Sequence, residues 1–162
     1  EDKLRKSRKH KHSIIEGIKS NPRLLRKWDP IHAENVADHA GKIAEKMGLE
    51  PYLQELVKKA ALVHDIGKIT IPSKSLNKDA SLTQKELEQI KRHPESGYQI
   101  LRSVDEYASV AMIILSHHEW VDGSGYPEKL KGEDIPLASR IIAVADSYDA
   151  MTSGCIYTDC KT

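Results

Sequence analysis

Residues 51–68 read PYLQELVKKAALVHDIGK, and this stretch decides the fold. Leu53, Leu56, Val57, Ala60, Ala61 and Val63 recur at three- and four-residue spacing, the pattern of a helix with one buried face. Pro51 suits its first turn, and Gly67 is expected to stop it. The apolar run "AALV" delivers the chain to His64 and Asp65, an imidazole and a carboxylate at the inner end of a buried face. Adjacent helical residues point about 100° apart, so both can turn toward one site only where the helix ends.

Working outward, the helical period persists. Upstream, Val36, Ala40, Ile43 and Met47 form a stripe that Gly48 terminates. Downstream, Thr83 and Glu86 make a capping box that opens a helix through Arg92. Pro94 suits the first turn of the next helix, which runs to about Ser103. Residues 105–118 form another, with Ala108, Ala111, Ile114, Leu115 and His118 near one face. The loop VDGSGYPEKLKGEDIP (121–136) follows, and Leu137 to Met151 form the last clear helix. Almost nothing alternates at period two, and there is no internal repeat. The expected fold is all-α, a single-domain helical bundle of six or more helices around one core.

Length and composition agree. A chain of 162 residues with 39% hydrophobic and 30% charged residues suits one globular domain. No apolar run reaches the roughly 20 residues needed to span a bilayer, and no signal-peptide pattern opens the chain, so a cytoplasmic location is expected. Cys155 and Cys160 lack a second pair and are expected as free thiols. The net charge of +1 hides a basic arm: residues 1–12 carry six Lys/Arg against two acids. That arm has no aromatic interleaving and no basic stripe continues from it, so residues 1–25 are expected to be a linker or helix from an upstream domain rather than a nucleic-acid surface. Residues 26–162 form the expected domain.

Five of the eight histidines fall where the helices bury them. His32 lies four residues before Val36, His64 ends its apolar run, His93 stands at a break between helices, and His117 and His118 close the 105–118 helix. Asp146 interrupts the apolar RIIAVAD, where a carboxylate is costly unless paired or metal-bound. Taken singly, each has an ordinary explanation as a hydrogen-bonded core histidine or a buried ion-pair partner. Taken together, five imidazoles and two carboxylates are what two divalent transition metals need, with positions left for water. Asp65 is the natural bridge between them, and Lys68, one turn from His64, places an ammonium beside any anion so held. His39 also lies near the core stripe and is expected to be structural; His10 and His12 belong to the arm.

HDIGK (64–68), HPESG (93–97), HHEWVDGSGYP (117–127) and VADSYDAMTS (144–153) together resemble the HD-GYP domains, a branch of the HD superfamily of metal-dependent phosphohydrolases. The resemblance runs from about His32 to Ser153. It implies a helical bundle with a buried di-iron or di-manganese centre, zinc or nickel being compatible with the same donors. His32, His64, Asp65 and Asp146 would hold one metal, and Asp65, His93, His117 and His118 the other. It implies hydrolysis of cyclic di-GMP to pGpG or GMP by a hydroxide bridging the metals, with Asp65 and Lys68 in the catalytic machinery and Lys68 on a phosphoryl oxygen. Tyr126 would shape the pocket mouth, meet a diguanylate-synthesising partner domain, or simply anchor its turn.

The resemblance lapses in two places. Cys155 and Thr158 stand where basic residues are expected, with only Tyr157 matching, so another HD-type phosphohydrolase or a catalytically weak metal-containing signalling module are the alternatives. Trp28 stands where members with three metals carry a glutamate. Asp29 is expected to cap the helix that begins at Pro30, which leaves two metals.

Overall fold

The computed structural model describes residues 13–76 and 81–153. The arm with His10 and His12, and the positions Cys155, Tyr157, Thr158 and Cys160, lie outside the described residues. Every regular element among the described residues is helical, and there are no strands among them. In order they form α1 (Ser13–Lys19), α2 (Pro22–Leu25), α3 (Pro30–Lys46), α4 (Pro51–Val63), a 3-10 turn (Ile66–Thr70) and α5 (Ser73–Leu76). Then come α6 (Gln84–Ile90), α7 (His93–Leu101), a second 3-10 turn (Asp105–Tyr107) and α8 (Ala108–Leu115). A third 3-10 turn (Gly132–Asp134) precedes α9 (Leu137–Thr152).

Asp29 starts α3 as its N-cap, its carboxylate accepting from the amides of Ile31 and His32, with Pro30 in the first turn. The buried face of α3 is Ala33, Val36, Ala37, Ala40 and Ala44, and α4 answers with Val57, Ala60, Ala61 and Val63. Such small side chains let the two helices approach closely, and α9 crosses both, adding Ile141, Ile142 and Ala145. α8 is apolar around most of its circumference and runs through the core on Val110, Ala111, Ile113 and Ile114. α7 packs on α8 and on the first 3-10 turn. Trp28 is buried beneath α3 among the core residues.

Several boundaries differ from expectation. α4 ends at Val63, four residues before Gly67, and His64 and Asp65 lie beyond it. Gly67 is needed for another reason: a Cβ there would overlap the His93 carbonyl oxygen and come within 2.7 Å of the Gly97 amide nitrogen. The first 3-10 turn therefore rests directly on the backbone of α7. α6 stops at Ile90 rather than Arg92, and residues 105–118 divide into a 3-10 turn and α8, leaving His117 and His118 past the helix end. Met47, expected in the buried stripe, is 52% exposed because it sits at the C-cap, where the helix leaves its partner.

Candidate metal centre

Three histidines share one local device. His64, His93 and His117 each follow a helical turn, and each ring donates Nδ1–H to the carbonyl three residues back: Ala61 at 2.7 Å, Ile90 at 2.8 Å and Ile114 at 2.5 Å. A carbonyl can only accept, so Nδ1 carries the proton, and in the neutral ring Nε2 presents a lone pair. These three lone pairs point inward. His32 is held differently: its Nδ1–H donates to Asp149 at 2.7 Å.

The donors fall into two groups that share one carboxylate. His32, His64 and Asp65 offer ligand atoms all within 4.8 Å of one another, and so do Asp65, His93, His117 and His118. Asp65 Oδ1 lies 3.2 Å from His93 Nε2, while Oδ2 lies 3.5 Å from His64 Nε2 and 2.6 Å from Lys68 Nζ. Asp146 stands beside the first group, 3.1 Å from His32 Nε2 and 3.8 Å from His64 Nε2. All seven expected ligands are thus assembled in one place, and Lys68 is at its edge. His39 is not among them; it packs edge-on to Tyr148.

The electrostatics fit a cation. His64 Nε2 is fully buried with no hydrogen-bond partner among the described residues, a costly state for a lone pair unless something electropositive meets it. His93 Nε2 and His117 Nε2 face one another at 3.3 Å. Burial, then the neighbouring His93 and His64, push His117 down to about 3, and burial with His117 and His93 lowers His118 as well, so both rings are neutral donors. Burial by itself favours neutral Asp65, but Lys68, His64 and His93 hold its carboxyl well below the usual range. Burial also opposes charge on His32, yet hydrogen bonds to Asp146 and Asp149 and the field of Asp65 raise it to about 9. His117 and His118 beside an ionised Asp65 are thus in the protonation states that divalent metals require. His32, by contrast, is charged in the metal-free chain and would have to give up the Nε2 proton that faces Asp146 in order to ligate.

Two functional-looking residues escaped the sequence reading. Asp149 is 1% exposed; besides His32 it accepts from the Ser153 hydroxyl at 2.7 Å. Its spacing from Asp146, one turn along α9, was the available signal. Glu119 is 4% exposed and accepts three backbone amides of the following loop, from Glu128, Lys129 and Leu130, at 2.6, 3.0 and 3.1 Å. A glutamate directly after two buried histidines was the signal there.

A sequence profile described as HD domain matches residues 12–162. The chain belongs to the HD domain family. Among curated relatives, the HD domain here is 45% identical over 131 residues to the cyclic di-GMP phosphodiesterase response regulator RpfG of Xanthomonas campestris, covering 80% of this chain and 35% of that protein. It is 47% identical over 124 residues to a cyclic di-GMP phosphodiesterase of Thermotoga maritima, covering 75% and 34%. It is 39% identical over 130 residues to the 3'3'-cGAMP-specific phosphodiesterase 2 of Vibrio cholerae, covering 79% and 25%. The chain therefore spans about a third or less of the length of these relatives. Among solved structures it is similar to Bd1817, an HDG"Y"P protein from Bdellovibrio bacteriovorus, with a TM-score of 0.65 and 25% identity, over 90% of this chain and 49% of that one. No helix among the described residues is long and apolar enough to cross a membrane.

Proposed function

We propose that this HD domain is a metal-dependent phosphodiesterase acting on a cyclic dinucleotide, with cyclic di-GMP as the first candidate. The observation that carries the reading is a pair of donor groups sharing Asp65, with a buried and unpartnered His64 Nε2 between them. His32, His64, Asp65 and Asp146 would hold one divalent ion, and Asp65, His93, His117 and His118 the other. The mixed imidazole and carboxylate donors suit iron or manganese, and also accept zinc or nickel. When bound, such a pair supplies Lewis-acid polarisation of a phosphoryl oxygen and an activated water.

The chain's own residues do the rest. Helix-end carbonyls fix the tautomers of His64, His93 and His117, and Asp149 fixes that of His32. Lys68, paired with Asp65, is close enough to pass its ammonium to a non-bridging phosphoryl oxygen when an anionic substrate arrives. The curated relatives named as phosphodiesterases of cyclic di-GMP or 3'3'-cGAMP support a diester of this size as the substrate. A cytoplasmic setting, an upstream sensor or receiver unit and a cyclase-type partner at the 117–127 loop belong to the same proposal, since the relatives are much longer than this chain.

The test is metal analysis together with turnover on cyclic di-GMP, 3'3'-cGAMP and pGpG. Two equivalents of metal and release of a linear dinucleotide are expected. Asp65→Ala should lose metal from both groups and turnover with it, whereas His93→Ala should deplete one. Full metal content and full turnover in Asp65→Ala would end the proposal; preference for 3'3'-cGAMP or pGpG would reassign the substrate.

A further inference from the structure

Each imidazole of the centre has something that sets its orientation, with one exception. His64, His93 and His117 use helix-end carbonyls, and His32 uses Asp149. The ring of His118 makes no hydrogen bond among the described residues, and it is the least buried member of its group. A ligand left free to turn about χ1 and χ2 loses rotamer entropy on capture and holds its metal poorly.

What His118 does have is aromatic neighbours: two are fellow ligands, His117 with its ring centroid 4.1 Å away and His93 edge-on at 4.9 Å, and one lies outside the ligand set. That one is Tyr126, whose ring lies against His118, centroids 5.0 Å apart and planes inclined by 25°. Offset stacking at this separation restricts an imidazole to rotation within its own plane. Tyr126 is in turn fixed from three directions. Its amide donates to the His118 carbonyl at 3.2 Å, which closes the loop back on the ligand's own backbone. Gly125 lies so close to the Trp120 amide, Glu119 Cα and the His118 carbonyl that no side chain fits there. Finally, the Glu119 carboxylate gathers the three amides that follow, those of Glu128, Lys129 and Leu130. Charge-assisted bonds of this kind are about twice as strong as neutral ones. Lys91 completes the stack, its ammonium 5.3 Å from the centre of the tyrosine ring.

We infer that Tyr126 is the positioning residue for His118, and that Glu119 acts through the 120–130 loop to keep the tyrosine ring in place. The aromatic face replaces the hydrogen bond that every other imidazole of the centre possesses. The inference rests on the two-metal reading above. It assigns the ring, not the hydroxyl, as the effective part of Tyr126, and it gives the buried Glu119 a role without placing it on a metal.

Metal-stripped wild type, Tyr126→Phe, Tyr126→Leu and Glu119→Gln should each be titrated with Mn2+ alone by calorimetry, with helical content checked by circular dichroism. Wild type is expected to take up two equivalents. Tyr126→Leu should weaken one equivalent by about 10- to 100-fold, the cost of losing an outer partner of a ligand, and leave the other within about twofold. Tyr126→Phe should bind as wild type does. Glu119→Gln must turn an amide N–H toward at least one of the three backbone donors, and should weaken the same equivalent as Tyr126→Leu. Equal affinity in wild type and Tyr126→Leu would overturn the inference and leave the two-metal reading standing. Equal losses in Tyr126→Phe and Tyr126→Leu would overturn it in favour of the hydroxyl. A wild type that binds no Mn2+, Fe2+ or Zn2+ would sink the two-metal reading itself, and this inference with it.

Discussion

Gly67→Ala should disrupt the centre without altering a ligating side chain. The added methyl meets backbone only: the His93 carbonyl oxygen in overlap, the Gly97 nitrogen at 2.7 Å and the His93 carbonyl carbon at 2.8 Å. Ordinary contact begins at 3.4 Å, so clearing the Gly97 nitrogen alone needs a retreat from α7 of about 0.7 Å, and clearing the overlapping His93 oxygen needs more. Overpacking of this kind costs about 1–3 kcal/mol, and backbone that cannot rotate away puts the cost at the upper end, about 3 kcal/mol. The same retreat widens the gap between Asp65 on the turn and His93 on the helix, now 3.2 Å. Metal–ligand distances tolerate about 0.2 Å, so the displacement exceeds the tolerance several-fold, and metal capture by the Asp65 and His93 group should fail. Urea unfolding of the metal-free variant and a metal titration measure the two effects. Gly17→Ala is the control: it is exposed in α1, has nothing within 4 Å of the new methyl, and should stabilise by about 0.4–1 kcal/mol. If Gly67→Ala unfolds within about 0.5 kcal/mol of wild type and loads two metals, the close approach of turn and helix is not what builds the site.

Three further outcomes are expected. Asp149→Ala should weaken the metal held by His32 and His64 about 10- to 100-fold and spare the other, with partial recovery in Asp149→Asn; uniform loss at both sites in a metal titration would contradict this. Lys68→Ala should keep its metal by elemental analysis while turnover falls on the order of 10²–10³-fold, and unchanged kcat/KM on every accepted substrate would remove the lysine from the chemistry. The metal-free chain should be most stable near pH 6.5. His32, raised to about 9, contributes stability that is complete below its ordinary value and lost as pH climbs through about 9, whereas His117, lowered to about 3, costs stability as pH falls below 6.5. Thermal melts of wild type and His32→Gln across this range test it: the variant should lose the alkaline slope, and an identical slope in both would refute the assignment.

The helices and the seven clustered side chains were legible because each rests on local pattern. Periodicity marks the buried face of α4, and an imidazole or carboxylate at its end is conspicuous among alanines and valines. Asp29 was legible as a cap for the same reason, since a cap needs only its own helix. What could not be read depends on how elements cross. Asp149 looks like a surface residue in DSYD until α3 lies across α9 and brings His32 to it. Gly67 looks like a helix stop until the 3-10 turn is set against α7. Glu119 looks like an exposed acid until the loop returns and three amides find it. The helix ends were misjudged by a few residues because the sequence does not say when a side chain will take the carbonyl that the next amide would have used.

That competition reaches beyond boundary placement. In a continuing helix the carbonyl of Ala61 would accept the amide of Asp65, yet here it receives the ring of His64 instead. The same exchange occurs at Ile114, whose carbonyl receives the ring of His117 rather than the amide of His118. At Ile90 the residue four on is Pro94, which has no N–H, and the ring of His93 takes the carbonyl so left open. Winding α4 or α8 one residue further would strip a tautomer from the centre, and letting any of the three helix ends fray would strip one as well. Helix length here is a tuned quantity, in the way that a string's length sets its pitch. Insertions or deletions within α4, α6 or α8 should therefore be far less tolerable than changes of side chain on their outer faces, and a transplant of this centre into another bundle would have to carry the helix termini along with the histidines.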